Sequence, residues 1–392
     1  MKPRAVNERV TWVGAVDWDR RLFDSLIPLP DGTSYNSYLV RGSEKTVLVD
    51  AVDPTMRDAL MANLEGVKSI DYVISHHTEQ DHSGTIPDVL AKYPEAKVIA
   101  TPRAVGMLAD HLAIPAARIT AVSDGETVSL GDRALKFVHT PWVHWPETMC
   151  TFLVEDRLAF TCDFFGSHLA TTDLFTRDEP RVREAAKRYY AEIMMPFSRH
   201  VGENMEKVAA LSPAVIAPSH GPIHDRPAFI LDAYKEWVQA PPRNMVLLAY
   251  VSMHGSTLIM ADRLTAALAA RGVSVERFDL VGVDLGKVAT ALVDAATVVV
   301  GTPTVLGGPH PLALYAAALV GALKGKAKWL SVFGSFSWGG KAVETLAGLV
   351  GGMKAEIIPP VLAKGLPKEA DLAALDAMAD AIAAKHKEAG LK

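Results

Sequence analysis

Cysteine is scarce: 392 residues carry two, Cys150 and Cys162. Two thiols cannot build a disulfide framework, and they read as buried thiols on neighbouring strands. Long apolar runs are absent. No stretch reaches the roughly 18 residues that a membrane-spanning helix needs. The opening Met-Lys-Pro-Arg-Ala-Val-Asn-Glu-Arg-Val has no apolar signal-peptide core. A soluble, cytoplasmic protein is expected. Neither sign of charge dominates, with 40 Lys plus Arg against 45 Asp plus Glu and a net charge of −5. Without basic runs, the chain is ill-suited to nucleic acid or to an anionic membrane surface. Repeats and low-complexity tracts are missing too.

The composition that remains, 22% charged and 49% hydrophobic, is that of a globular chain rather than a disordered one. The length fits two or three domains. In the first half, strand-like runs at 35–40 and 46–50 flank a turn at 41–45, which predicts a hairpin. Further runs follow at 72–75, 97–100, 135–139 and 158–161, with helical periods around 56–64 and 103–111. This mixture predicts an α/β sandwich. The pattern breaks at 238–244, where Pro241 and Pro242 mark a linker. Beyond it, buried strands at 245–251, 298–300 and 329–333 alternate with helices, as in a doubly wound parallel sheet. Met260, Leu264 and Leu268 share one helix face, Gly272 ends that helix, and 368–386 reads as an amphipathic surface helix. The expected domains are 1–240 and 245–392.

The run after the strand at 71–75 reads His76-His77-Thr78-Glu79-Gln80-Asp81-His82-Ser83-Gly84. His77, Glu79, Asp81 and His82 stand within six residues at a strand end, where a rigid scaffold places chemistry. His144, Asp163 and His220 follow, each beside Gly, Pro or an aromatic at the end of an apolar run. Taken singly, each also reads as a surface pair or a cap. Four histidines and three carboxylates exceed one tetrahedral site and suffice for two metals sharing a bridging carboxylate. Ligation by oxygen and nitrogen without thiolate favours iron or manganese over structural zinc.

In the second half a buried strand ends in Ser252-Met253-His254-Gly255-Ser256-Thr257 and a helix begins. A hydroxyl-rich, Gly-containing turn at a helix N-terminus binds anions such as phosphate. It holds no Lys or Arg and is not a Walker loop, which excludes ATP. Alone, it also reads as an ordinary capped helix. Two later loops, one with Pro303, Thr304 and Leu306 and one with Gly334, Ser335, Trp338 and Gly339, follow further buried strands. Three such loops converge at a topological switch point. Trp338 suits stacking on a flat ring, or packing on the core.

The pattern His77-x-Glu79-x-Asp81-His82 with His144, Asp163 and His220 resembles the metallo-β-lactamase fold. Hydrolases of that fold usually carry His where this chain has Glu79. Glu there resembles the flavodiiron proteins, as do His144-Trp145-Pro146-Glu147 and Pro218-Ser219-His220-Gly221-Pro222. The resemblance implies that His77, Glu79 and His144 bind one iron, that Asp81, His82 and His220 bind the second, and that Asp163 bridges them. In the family, the residue matching His82 does not always reach its iron. The second half resembles the family's flavodoxin domain, which binds FMN. That implies phosphate at Ser252, Met253, His254, Gly255, Ser256 and Thr257, with Pro303, Thr304 and Leu306 on one flank of the flavin and Gly334, Ser335, Trp338 and Gly339 on the other. His254 departs from the Tyr or Trp commoner in the family.

The family resemblance implies an αββα sandwich followed by a flavodoxin-like sheet, and an oxidoreductase reducing O2 to water, NO to N2O, or both. A reduced flavin holds two electrons and a diferrous pair two more, enough for either reaction. It also implies a head-to-tail homodimer or a tetramer in which one subunit's flavin faces its partner's irons. The donor is external: a rubredoxin, another reduced flavoprotein or a reduced deazaflavin. A fused rubredoxin would need paired C-x-x-C cysteines. Tyr189 and Tyr190 are expected near the gas pocket or in helix packing, and His168 and His224 behind the ligands. The rivals are a metal-dependent hydrolase with a flavin domain and an electron carrier with an inert metal domain.

Overall fold

Short β-branched and aromatic runs interrupted by turns give the first half two large sheets and two small two-stranded ones. The computed structural model describes residues 1–339, 341–349 and 355–391. It divides into two units, Met1–Val238 and Gln239–Lys392.

In the first unit, one sheet takes its strands in chain order: β1 (Arg4–Ala5), β2 (Val10–Trp12), β3 (Tyr38–Arg41), β4 (Thr46–Val49), β5 (Tyr72–Ile74), β6 (Lys97–Ala100) and β7 (Ile119–Ala121). The second sheet is β8 (Thr127–Ser129), β9 (Ala134–His139), β10 (Met149–Leu153), β11 (Leu158–Cys162) and β12 (Val215–Pro218). Alternation along β4 divides its side chains. Val47 and Val49 face the second sheet with Phe137, Leu153 and Phe160, while Leu48 packs outward with Leu60, Leu64 and Val89 of the covering helices. Burying each such side chain contributes roughly 1.5–3 kcal/mol. The result is the expected αββα sandwich.

Expected and observed elements differ in one place that matters for the site. The run at 35–40 is split into Thr33–Tyr35 and Tyr38–Arg41. Asn36 interrupts it because its amide serves a distant loop. Nδ2 donates to Pro218 O (2.8 Å) and Gly221 O (2.7 Å), and its backbone N–H donates to Ser219 O (2.7 Å). Tyr38 Oη adds a bond to Pro218 O at 2.7 Å. The loop that carries His220 is thereby fastened to the first sheet.

The second unit is one parallel sheet: β13 (Arg243–Tyr250), β14 (Ser274–Asp279), β15 (Ala295–Val305), β16 (Trp329–Phe336), β17 (Glu356–Ile357) and β18 (Val361–Lys364). The order is β14-β13-β15-β16-β17, with β18 also on β16. This is the flavodoxin-type order, with its switch point between β13 and β15. The helix Ser256–Ala270 buries Met260, Leu264 and Leu268. It ends before Gly272, whose φ of +71° suits a glycine. The last helix, Glu369–Glu388, buries Leu375, Met378, Ala379 and Ile382. The linker expected at 238–244 is shorter than its prolines implied, because a helix runs through Gln239 and β13 starts at Arg243. Among the described residues, no helix is long and apolar enough to cross a membrane. Cys150 and Cys162 are free and buried on the paired strands β10 and β11.

Candidate metal centre and phosphate cleft

Strand ends deliver the first unit's polar residues. After β5 the chain runs through His77 to Glu79, the N-cap of the short helix Gln80–Ser83, which carries Asp81 and His82. Glu79 makes no side-chain cap bond, so its carboxylate is free to face inward. Asp163 follows β11, His220 follows β12, and His144 sits between β9 and β10.

All seven converge, in two groups. His77, Glu79, His144 and Asp163 offer ligand atoms within 4.8 Å of one another, as do Asp81, His82 and His220. Asp163 joins the groups. Its Oδ2 lies 3.3 Å from His144 Nε2 and 3.6 Å from His77 Nε2. Its Oδ1 lies 2.8 Å from His82 Nε2 and 3.3 Å from His220 Nε2. Glu79 Oε2 completes the first group, at 3.0 Å from His77 Nε2 and 3.3 Å from His144 Nε2. Asp81 completes the second, at 3.3 Å from His82 and 3.1 Å from His220.

Tautomers follow from the other ring nitrogens. His77 Nδ1 faces Glu147 Oε1 at 2.7 Å and His220 Nδ1 faces Ser34 O at 2.7 Å. Both partners accept, so both Nδ1 atoms donate and both Nε2 atoms point into the site, free to give a lone pair once a cation displaces their proton. Burial opposes charge on His144 and His220, but hydrogen bonds to Asp163, with further help from Glu79 and Asp81 respectively, push them up to about 9 and about 10. Burial would raise Asp163, yet the surrounding histidines, His82 foremost, hold it well below the usual carboxylate range.

Sequence reading missed several contributors. Glu147 is buried under His77, held down to about 2 because hydrogen bonds from His77 and Thr78 outweigh its burial. Asp50 pairs with His76 Nδ1 at 2.7 Å beneath the site. Asp24, in the hairpin Leu22–Pro28, is pushed up to about 6 by burial and by Glu79 and Asp81. Phe23 and Tyr189 pack on the rings of His168 and His220, with Tyr189 4.8 Å and 5.8 Å from the two. Tyr190 instead stacks in the helical layer with Tyr234 and Trp237. His224 lies apart, bonding Thr176 Oγ1 and Phe165 O.

In the second unit, an open cleft of about 190 Å³ is lined by Met253, His254, Ser256, Thr257, Pro303, Thr304, Ser335, Phe336, Ser337 and Gly365. The loop after β13 meets the C-terminal ends of β15 and β16 there; Pro303, Thr304 and Ser335, expected on loops, lie in those strands, and Phe336, Ser337 and Gly365 were not foreseen. Leu306 and Trp338 stand on the same loops with 93% and 82% of their surface exposed. Gly255 is the N-cap of Ser256–Ala270 at φ +91°, without a side-chain cap bond. Ser252 Oγ accepts from Leu258 N at 3.1 Å. Gly334 is required by the sheet: a Cβ there would come within 2.0 Å of Thr302 O.

A family model described as ODP family beta lactamase matches residues 33–221, and a flavodoxin model matches 248–391. The chain is 35% identical to a nitric oxide reductase of Moorella thermoacetica, over 95% of this chain and 96% of that one. Among solved structures, rubredoxin oxygen:oxidoreductase of Desulfovibrio gigas superposes with a TM-score of 0.94 at 29% identity, covering 99% of both chains. The flavodiiron protein of Giardia intestinalis gives 0.88 at 27%, covering 98% of both. The chain belongs to the flavodiiron family. It is an oxidoreductase whose cofactors are FMN and a non-haem diiron centre.

The residues fit both cofactors. The four carboxylate oxygens of Asp81 and Asp163 are buried, and among the described residues they face histidine nitrogens without a well-aligned hydrogen bond. Such atoms are costly unless a cation takes them. Seven oxygen and nitrogen donors in two groups suit two hard-to-borderline metal ions. In the first turn of Ser256–Ala270, Leu258 N is taken by Ser252 Oγ, while the N–H groups of Ser256 and Thr257 and their hydroxyls stand beside the cleft for a phosphate.

Proposed function

We propose that this flavodiiron protein reduces O2 to water, NO to N2O, or both, with electrons reaching the metal centre through FMN from an external donor. That donor is a rubredoxin, another reduced flavoprotein or a reduced deazaflavin. His77, Glu79 and His144 would hold one iron, Asp81, His82 and His220 the other, and Asp163 would serve both. Ser252 to Thr257 would hold the phosphate of FMN, with Pro303, Thr304 and Leu306 on one side of the flavin and Ser335, Trp338 and Gly339 on the other.

The observation that carries the reading is the division of Asp163, one oxygen toward each histidine pair. When bound, two irons and a flavin supply four electrons, enough for either gas. The chain's own residues do the rest. Glu147 and Ser34 fix the Nε2 lone pairs of His77 and His220. Glu79, Asp81 and Asp163 offset three of the four positive charges of a diferrous pair. Phe23 and Tyr189, packed on His168 and His220, limit water beside the second group. Asp24, whose carboxyl is raised to about 6 by burial, Glu79 and Asp81, adds an acid beside Glu79 that is ionised near neutral pH.

The reading includes a head-to-tail homodimer, or a tetramer built from it, and a cytoplasmic location. The absence of a membrane-spanning helix among the described residues accords with that location. The test is iron and FMN content of the purified protein, followed by O2 and NO consumption after anaerobic reduction. About two irons and one FMN per chain with N2O release or O2 uptake support it. Two zinc ions without iron, or no consumption of either gas, would overturn it.

A further inference from the structure

We infer that Glu147 is a positioning residue for the diiron centre that makes the two iron positions unequal, the one held by His77 being the harder to reduce. This rests on the ligand assignment proposed above. Three donors meet Glu147 Oε1: His77 Nδ1 at 2.7 Å, Thr78 N at 3.0 Å and Thr78 Oγ1 at 2.8 Å. The residue is 1% exposed. Its backbone is held as well, since Thr101 Oγ1 donates to Glu147 O at 2.8 Å. The carboxylate is thus fixed directly behind one ligand.

The other candidate ligands lack this backing. His220 Nδ1 donates to a neutral backbone carbonyl, Ser34 O. His82 Nδ1 has no hydrogen-bond partner among the described residues. Asp50, the other buried carboxylate beneath the site, spends its oxygens on His76 N, His76 Nδ1 and Ser219 Oγ, and none of these belongs to a proposed ligand.

A carboxylate that accepts from the far nitrogen of a ligating imidazole raises that ligand's basicity and locks its orientation. Its negative charge, in a site of low dielectric, also favours the higher oxidation state of the nearer ion. Each iron receives one terminal carboxylate, Glu79 or Asp81, and a share of Asp163. Among the described residues, the first group alone has a further carboxylate hydrogen-bonded to one of its ligands. Electrons therefore enter the Asp81–His220 position first and the His77 position second, and the half-reduced pair is a defined state rather than an even mixture.

The test uses the full chain, stripped of metal and reloaded with Fe(II), in wild type, Glu147→Gln, Glu147→Asp and Thr101→Val. Glutamine keeps an acceptor oxygen and removes the charge. Redox titration followed by EPR reads the two one-electron steps and the maximum of the mixed-valent signal. Glu147→Gln is expected to raise the second potential, narrow the gap and lower that maximum. Glu147→Asp should restore the gap at least in part. Thr101→Val loses the bond to the Glu147 backbone and the helix-cap bond from Ala104 N but leaves the carboxylate and its three donors in place, so the gap should be unchanged. Titration of the metal-free chain with Co(II) gives a second reading. Glu147→Ala should weaken one of two sites by about 10–100-fold. A Glu147→Gln protein that holds two irons with wild-type potentials would overturn the inference while leaving the diiron reading standing. Wild-type protein that binds no metal pair would sink both.

Discussion

Oδ1 of Asp163 lies 2.8 Å from Nε2 of His82, nearer than it lies to His220 at 3.3 Å. The same carboxylate turns its other oxygen to His144. One side chain therefore serves both halves of the centre. Asp163→Asn should cut gas reduction by two orders of magnitude or more, on the order of 3 kcal/mol in barrier. FMN content should stay at the wild-type level, because that cofactor belongs to the other unit. Iron, flavin and gas-consumption measurements on one preparation check this.

His82 shares its nitrogen between Asp163 and Asp81, and its Nδ1 is unsupported among the described residues. His82→Ala should weaken the Asp81–His220 ion at least about tenfold, roughly 1.4 kcal/mol. The ion at His77, Glu79 and His144 should persist. Stepwise removal of iron by a chelator reads the two affinities separately. Loss of both irons in one step would contradict the division into two groups.

The phosphate turn depends on Gly255 at φ +91°. Gly255→Val forces a side chain into left-handed backbone at a cost of about 1–2 kcal/mol. Nothing lies within 4 Å of the added Cβ, so the penalty is conformational rather than steric. FMN affinity should fall by roughly 5–30-fold with the iron content unchanged. Fluorescence titration of the flavin-free chain measures it.

His386 gives the second unit an acid limb. Its Nε2 faces Thr297 Oγ1 at 2.7 Å and its Nδ1 faces Asn244 Oδ1 at 2.8 Å, and burial lowers it to about 4. An unfolded histidine titrates near 6.5. Above that pH both states are neutral. Between about 6.5 and 4 the unfolded chain binds the extra proton, so stability falls as pH falls. Below about 4 both states are protonated and the decline from this group stops. His386→Gln should flatten the change in melting temperature over that window, read by calorimetry on the flavin-containing unit's transition.

Much of the centre was legible because four of its groups stand within six residues after a strand, a density that ordinary surface composition does not produce. His144, Asp163 and His220 were legible from position, each at an element's end. Glu147 was not, because a carboxylate that accepts from a ligand looks in sequence like any loop acid, and only the fold brings it under His77. The break at Asn36 escaped for the same reason: its partners lie 182 and 185 residues away. In the flavin cleft the helix-entry loop was readable from glycine and hydroxyls. Gly365 was not, since it follows the short strand β18 and reaches the cleft only through pairing with β16. Gly334 was read as a flavin contact; its constraint, the approach of Thr302 in the neighbouring strand, was not legible.

The two sulfurs deserve a chemical reading of their own. Cys162 is the residue before Asp163, and Cys150 sits on the adjoining strand. Burial pushes the Cys150 thiol up to about 12 and the Cys162 thiol further. Oxidants attack the thiolate form. Both sulfurs therefore stay protonated, and repeated turnover should leave them unoxidised.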